Sequence, residues 1–144
     1  MMTMKMFAID AAPGLIKREL GEAAVTADGY IGVQWDQGGA AATDFICVIN
    51  IESCKVSAGN ESYTYRLIGS NQADRSDGVI LDTLELGDAG TVPVETVDTV
   101  AGDQLVMRAR SEKNRMQFQY IDLHLDVSGT SPSIGFGAHI SKEF

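Results

Sequence analysis

The stretch of sequence that decides the fold runs Arg115-Met-Gln-Phe-Gln-Tyr-Ile-Asp-Leu-His-Leu-Asp-Val-Ser-Gly-Thr-Ser-Pro-Ser-Ile-Gly-Phe-Gly-Ala-His-Ile-Ser141. Two runs of alternating residues flank a Ser-Gly-Thr-Ser-Pro turn, and the apolar positions of the first run are Ile121, Leu123, Leu125 and Val127. A period of two is the spacing of a β-strand with one buried face and one wet face. The stretch therefore predicts a long β-hairpin within a sheet and places the chain in the all-β class.

The alternation changes phase within that first run. Met116, Phe118 and Tyr120 share one face of a strand, whereas Ile121 and the apolar residues that follow it share the other. A β-bulge, a strand that passes from one sheet to another, or a strand buried on both faces would each explain the change. The sequence leaves these three possibilities open.

Most of the remaining chain consists of short strand patterns separated by Gly, Asp and Ser turns. Residues 44–56, which are rich in Ile and Val on both faces, predict a central strand covered on two sides. Asp28-Gly29 predicts a hairpin turn, and residues 36–42 predict a flexible connector. Residues 87–102 predict an edge strand, where Pro93 is tolerated. Eight or nine strands in total indicate a sandwich, jelly roll or barrel, and the strand pattern leaves these three architectures open.

The first 20 residues differ from the rest and predict a short N-terminal arm, followed by a single β-sandwich domain over residues 21–144. Residues 15–20, with Pro13 near their start, predict a short helical piece. The arm is either a disordered tail or a segment exchanged between subunits. Its apolar residues outside the strand pattern are the candidates for contacts with a second subunit or with a partner protein: Met4, Met6, Phe7 and Ile9.

Length, charge and cysteine count narrow the class of protein. A chain of 144 residues with 44% apolar content suits one globular domain. Its formal net charge of −9 repels nucleic acid and suits either simple solubility or a basic partner.

The sequence lacks a membrane-spanning apolar run and the apolar core of a signal peptide, so we expect synthesis in the cytoplasm. Cys47 and Cys54 fall on opposite faces of an unbroken strand, which predicts free, partly buried thiols.

The chain carries few signs of catalytic or metal chemistry. His124 lies between Asp122 and Asp126 on one strand face, and this trio could ligate a metal with help from elsewhere, but an ordinary solvent face explains it better. No nucleophile elbow or phosphate loop occurs, so we expect no enzyme activity and no cofactor. Four loop acids could bind calcium if their loops converge, although turn chemistry explains each of them at least as well: Asp74, Asp77, Asp88 and Asp103.

The second half of the chain resembles a known family. Residues 67–141 are similar to the small capsid cement, or decoration, proteins of tailed bacteriophages. The resemblance rests on Leu67-Ile-Gly-Ser-Asn-Gln-Ala-Asp, Val79-Ile-Leu-Asp-Thr-Leu-Glu-Leu, Gln119-Tyr-Ile-Asp-Leu-His-Leu-Asp-Val-Ser-Gly-Thr-Ser-Pro-Ser-Ile and Gly137-Ala-His-Ile-Ser. It implies a jelly-roll or sandwich subunit, so we expect a jelly-roll-like antiparallel β-sandwich with a short N-terminal arm. It further implies that the subunit, usually a homotrimer, sits on the exterior of the virion head and clamps neighbouring major capsid proteins. It implies no enzyme activity, no cofactor, and no nucleic-acid or membrane partner.

Two other interpretations stay open. The chain could be a different structural part of a virion, such as a head–tail connector or a tail component, which would share the fold class. It could also be a carbohydrate-binding module, which needs a row of exposed aromatic side chains. Core packing accounts for the aromatics as well, so burial of the following residues would count against sugar binding: Trp35, Tyr63 and Tyr65.

Overall fold

The computed structural model describes residues 14–142, and these residues form nine β-strands and no helix. In chain order the strands are β1 Ile16–Arg18, β2 Gly29–Ala41, β3 Asp44–Cys54, β4 Ser62–Ser70, β5 Val79–Gly87, β6 Gln104–Arg110, β7 Glu112–Lys113, β8 Met116–Ser128 and β9 Ile134–Ser141. All strand pairs are antiparallel. The all-β class predicted from the alternating runs is confirmed.

The strands form two sheets whose order is that of a jelly roll. One sheet has the order β1-β9-β3-β6, and the other has the order β2-β8-β4-β5 with β7 added beside β8. Successive strands of the chain mostly alternate between the sheets, so strands distant in sequence become neighbours. Two interleaved Greek keys of this kind define the jelly roll, and the predicted jelly-roll-like antiparallel sandwich is confirmed.

The closing stretch forms two strands, but they do not form a hairpin. The strand β8 lies between β2 and β4, whereas β9 lies between β1 and β3 in the other sheet. The Ser-Gly-Thr-Ser-Pro segment therefore crosses from one sheet to the other, and the predicted hairpin is wrong. Alternation specifies each strand and its buried face, but it does not specify the partner strand.

The core lies between the two sheets and is lined by alternate residues of both. Phe45, Cys47 and Ile49 of β3 face Tyr63, Tyr65 and Leu67 of β4 and the odd-numbered apolar residues of β8. The strand β3 is also covered on its outer side, because Ile46 and Val48 are buried as completely as the inward residues. The prediction of a central strand covered on two sides is confirmed.

The short helix predicted over residues 15–20 is wrong, because β1 occupies this segment and pairs with β9. Leu15 and Lys17 point inward while Ile16 is exposed, which is the period of a strand. The apolar residues of this segment are compatible with a helix and with an extended strand. The free edge of β9 supplies the hydrogen bonds that favour the strand. The arm residues Met4, Met6, Phe7 and Ile9 lie outside the described residues.

Long-range pairing also overrides the local signals on either side of β2. Asp28-Gly29 is not a hairpin turn, because β2 begins at Gly29 and Val25 instead makes an isolated bridge with Ile134. Residues 36–42 are not a free connector, because β2 continues along β8 as far as Ala41. Asp28 serves a different purpose: its carboxylate accepts a hydrogen bond from the Val127 amide of β8 at 2.7 Å.

The phase change in β8 has two sources. The pairing of β8 with β4 is regular along its whole length, so β8 neither changes sheet nor breaks its register there. Its pairing with β2 is irregular: β2 advances four residues from Ile31 to Trp35 while β8 moves two, from Leu123 to Ile121. The bulge therefore lies in β2. In β8 itself, residues 121–123 are all buried, which means that both faces are covered at this point.

Residues 88–103 form an irregular loop with several turns, so the edge strand predicted for residues 87–102 is wrong. Val92 and Thr99 are buried and anchor the loop against the sandwich. The Thr99 amide donates to the Gly87 carbonyl, and the Thr99 hydroxyl accepts a hydrogen bond from the Gly87 amide, both at 2.9 Å. These bonds close the base of the loop without forming a ladder.

Candidate functional site: the outer face of the five-stranded sheet

The polar residues of the decisive stretch lie side by side on the outer face of the five-stranded sheet. Asp122, His124 and Asp126 occupy alternate positions of β8, between β2 on one side and β4 on the other. This central place explains why the trio meets side chains from both neighbours. Asp122 is 2% exposed, although it sits on a face that the sequence predicted to be wet.

Asp122 is buried because the loop of residues 71–78 folds over it and supplies a cation. Nε and Nη2 of Arg75 approach Oδ2 and Oδ1 of Asp122 at 2.9 and 3.0 Å, which is a two-point ion pair. Gln34 of β2 adds a third contact, since its Nε2 donates to Oδ2 at 2.8 Å. The hydrogen bond to Asp122 raises the pKa of Arg75. The carboxylate thus ties one loop and two strands together.

Arg75 extends this network to an aromatic pair. Its guanidinium lies over the Tyr30 ring at 3.9 Å from the ring centroid, which is a cation–π contact. Tyr30 in turn makes an edge-to-face contact with His124, with centroids 4.8 Å apart. Arg75 has a positive φ of 63°, a conformation that costs a non-glycine residue energy. The contacts with Asp122 and Tyr30 offset this cost.

The far end of the trio is more exposed. Arg66 of β4 forms an ion pair with Asp126, and His124 Nδ1 lies 3.6 Å from Asp126 Oδ1. Burial, helped by the nearby charge of Arg66, lowers the pKa of His124 and so favours the neutral form of its ring. The Asp122 oxygens already accept hydrogen bonds from Arg75 and Gln34. Within residues 14–142 no group of acidic, histidine and cysteine side chains is arranged to hold a metal ion.

The loop acids act separately as turn caps, each bonded to backbone amides of its own turn. Asp74 Oδ1 accepts from Ser76, and the Asp77 carboxylate accepts from the amides of Asn71 and Gln72. Asp88 and Asp103 accept from the amides of Gly90 and Val100 at 2.8 and 3.0 Å. These bonds are the turn chemistry expected of loop aspartates, and they hold each carboxylate in its own turn.

The aromatic side chains considered for sugar binding are part of the core. Trp35 is 6% exposed, and Tyr63 and Tyr65 are fully buried. The single proton of the Tyr63 hydroxyl faces the backbone carbonyls of Lys55 and Ser133, and the hydroxyl oxygen accepts from the Ser133 amide. The side chain thus links β4 to the residues that follow β3 and precede β9. Tyr30 is exposed, but Arg75 occupies one face of its ring. The described aromatics therefore offer no row of open rings for a sugar.

A buried lysine stabilises the junction between the two sheets. Nζ of Lys17 donates to the carbonyls of Val33 and Ile121 at 2.7 and 3.1 Å, which connects β1 with β2 and β8. Burial lowers the pKa of Lys17 to about 8. A side chain at Gly32, whose φ is +71°, would collide with the Lys17 carbonyl. The glycine in the β2 bulge therefore lets the two strands approach.

The two cysteines are free, as predicted: Cys47 is fully buried in the core, and Cys54 is half-buried at the end of β3. Burial raises the pKa of each thiol to about 12. Neither thiol is activated for nucleophilic chemistry.

His139 lies on the outer face of the four-stranded sheet, beside a groove of about 240 Å³ lined by Ile16 and Leu20. Burial lowers the pKa of His139.

Sequence reasoning missed the two residues that complete the site, Arg75 and Gln34. Arg75 is a single cation in a polar loop, and Gln34 lies within the bulge of β2; neither belongs to a motif. Only the contacts of β2 and of the loop with β8 bring them to Asp122.

Comparison of the sequence with protein-family models and with curated proteins found no match. The described residues contain no helix that could cross a membrane. The arrangement as a whole is a connected polar network on the outer face of the five-stranded sheet.

Proposed function

We propose that this chain is a structural capsid cement, or decoration, protein that binds the exterior of a phage head and stabilises contacts between major capsid proteins. The observation that carries the proposal is the strand order of the two sheets, because the jelly roll is a fold of viral capsid domains. A jelly roll hosts many functions, so the fold alone does not decide. Among these functions, the resemblance of residues 67–141 to cement proteins supports capsid decoration.

The outer face of the five-stranded sheet supports a role in assembly. Asp122, Arg75 and Gln34 fix loop and strands in one arrangement before any partner arrives. A surface that is already ordered loses little conformational entropy on binding, so contacts of modest strength suffice. Burial of Trp35, Tyr63 and Tyr65 speaks against the carbohydrate-binding alternative.

A homotrimer is the form we propose for the subunit. A symmetric oligomer multiplies each contact with the shell, and linked contacts bind far more tightly than single ones. The arm residues Met4, Met6, Phe7 and Ile9 remain our candidates for contacts with the capsid or with a second subunit. Deletion of residues 2–12 tests them: unchanged assembly and unchanged shell binding would remove the arm from the proposal.

Two measurements on the full chain test the proposed function. Light scattering should give a mass of about 46 kDa, three times the 15.4 kDa chain. Quantitative mass spectrometry of purified phage particles should find the chain in amounts comparable to the major capsid protein. A chain absent from purified particles would refute the proposal, and a few copies per particle would favour a connector or tail component instead.

A further inference from the structure

The negative charge of this protein is concentrated in one continuous part of the chain. Residues 76–107 contain seven acidic residues and no Lys, Arg or His, whereas the other residues carry thirteen acids and eleven bases. This segment contains the edge strand β5, the loop 88–103 and the first four residues of β6, and all seven of its acids precede β6. Its acids are Asp77, Asp82, Glu85, Asp88, Glu95, Asp98 and Asp103.

The same loop exposes apolar side chains that the fold does not use. Val94, Val97 and Val100 are 76%, 73% and 51% exposed, and they lie within seven residues of one another. Single exposed apolar residues are normal on a protein surface, but a cluster bordered by charge is typical of an interaction site. Val92 in the same loop is buried, so the loop has a separate apolar anchor and does not need the exposed valines for packing.

The loop is held in place by its own polar groups. The hydroxyl of Thr99 donates to the carboxylate of Glu95 at 2.9 Å, and the amides of Ala89 and Val100 donate to Asp98 and Asp103 at 3.0 Å. At the end of the loop, the Gly102 amide donates to the Ile51 carbonyl of β3 at 2.8 Å. The exposed valines therefore lie on a loop whose conformation is fixed by its own hydrogen bonds.

The acids of this loop lie close enough to influence one another. Burial raises the pKa of Glu95, and the neighbouring carboxylates of Asp103 and Asp98 raise it further. A cationic partner group would relieve this repulsion, whereas an anionic surface would increase it. The charge thus favours a basic partner, and the valines require that the partner also present apolar side chains.

We propose that β5 and the loop 88–103 form the docking surface of this protein for a basic, partly apolar patch of a partner protein. The inference rests on the proposed function, in which that partner belongs to the shell of the phage head. The loop valines would occupy the centre of the interface and the acids its rim. Opposite charge at the rim accelerates association, and the buried apolar centre slows dissociation.

The experiment uses the full chain and shells of the encoding phage assembled without it, with binding measured by co-sedimentation. The double variant Val94→Ser, Val97→Ser should weaken binding by about tenfold or more, because exposed valines bury only in the complex. The control Val33→Ser changes a valine that is 66% exposed on β2 and should bind like the wild type. Unchanged melting temperatures of all variants would show that they fold.

A charge series completes the test. Glu85→Gln combined with Asp98→Asn should reduce the salt dependence of binding, whereas Glu19→Gln, outside the acidic segment, should leave it unchanged. If the wild-type chain binds shells and the valine double variant binds them equally well, this inference is wrong and the proposed function stands. If the wild-type chain does not bind shells, the proposed function fails, and this inference fails with it.

Discussion

The buried ion pair of Asp122 offers the sharpest test of the site. Asp122→Ala removes both contacts with the Arg75 guanidinium and the acceptor of the Gln34 amide. The Arg75 guanidinium then lies on the sheet face with its positive charge but without the carboxylate that compensated it. The loop of residues 71–78 also loses its link to the middle of β8.

The size of the loss follows from the burial of the two partners. Removing one member of a buried ion pair costs about 3–5 kcal/mol of stability, since the other charge is left uncompensated. Asp122 is nearly inaccessible, but the Arg75 side chain is 26% exposed and water can replace part of the lost contacts. We therefore expect a loss of about 3 kcal/mol, at the low end of that range. For a chain of this length such a loss lowers the melting temperature by about 10 °C.

Urea unfolding at fixed protein concentration measures the loss, with Arg75→Ala and the double variant completing a cycle. A coupling energy of about 1 kcal/mol or more between the two sites is expected. Asp126→Ala is the matched control, because its pair with Arg66 is more exposed and should be worth less than about 1 kcal/mol. A loss below about 1 kcal/mol for Asp122→Ala, or purely additive effects in the cycle, would refute the reasoning.

Three further predictions concern buried polar groups. Tyr63→Phe should cost about 1–2 kcal/mol because its hydroxyl donates its proton to backbone carbonyls and accepts from the Ser133 amide. Tyr65→Phe should be neutral or stabilising because that hydroxyl has no partner among the described residues, and equal losses in urea unfolding would contradict this. Between pH 8 and 10.5 the unfolded chain binds more protons at Lys17 than the folded chain does, so the free energy of unfolding should rise with pH relative to Lys17→Met, and equal pH slopes would count against it. Iodoacetamide at neutral pH should leave Cys47 and Cys54 unmodified until denaturant is added, and mass spectrometry of the native protein that showed rapid labelling of both would argue against their raised pKa values.

The sequence was informative where burial follows the pattern of a single strand. The alternating residues of β8 and the apolar run of β3 specify their own inward faces, and both predictions agree with the structure. The sequence was misleading where the partner strand decides. Asp28-Gly29 has the chemistry of a hairpin turn, yet β2 pairs with β8, almost a hundred residues away, and the turn never forms.

The site could be predicted only in part for the same reason. The spacing of Asp122, His124 and Asp126 correctly placed them on one face, but the burial of Asp122 depends on Arg75 and Gln34. These residues reach Asp122 through a loop and through a bulged strand, and neither produces a periodic signal. The burial of a carboxylate such as Asp122 can be predicted from sequence only if the loop that covers it is known.

Electron cryomicroscopy of phage particles tests the central claim most directly. The proposed function predicts density on the outside of the head, in groups of three, into which the sandwich with sheets β1-β9-β3-β6 and β2-β8-β4-β5 fits. The loop 88–103 should face a basic patch of the major capsid protein. Head density without such subunits, or the sandwich found only at the connector or tail, would contradict the account.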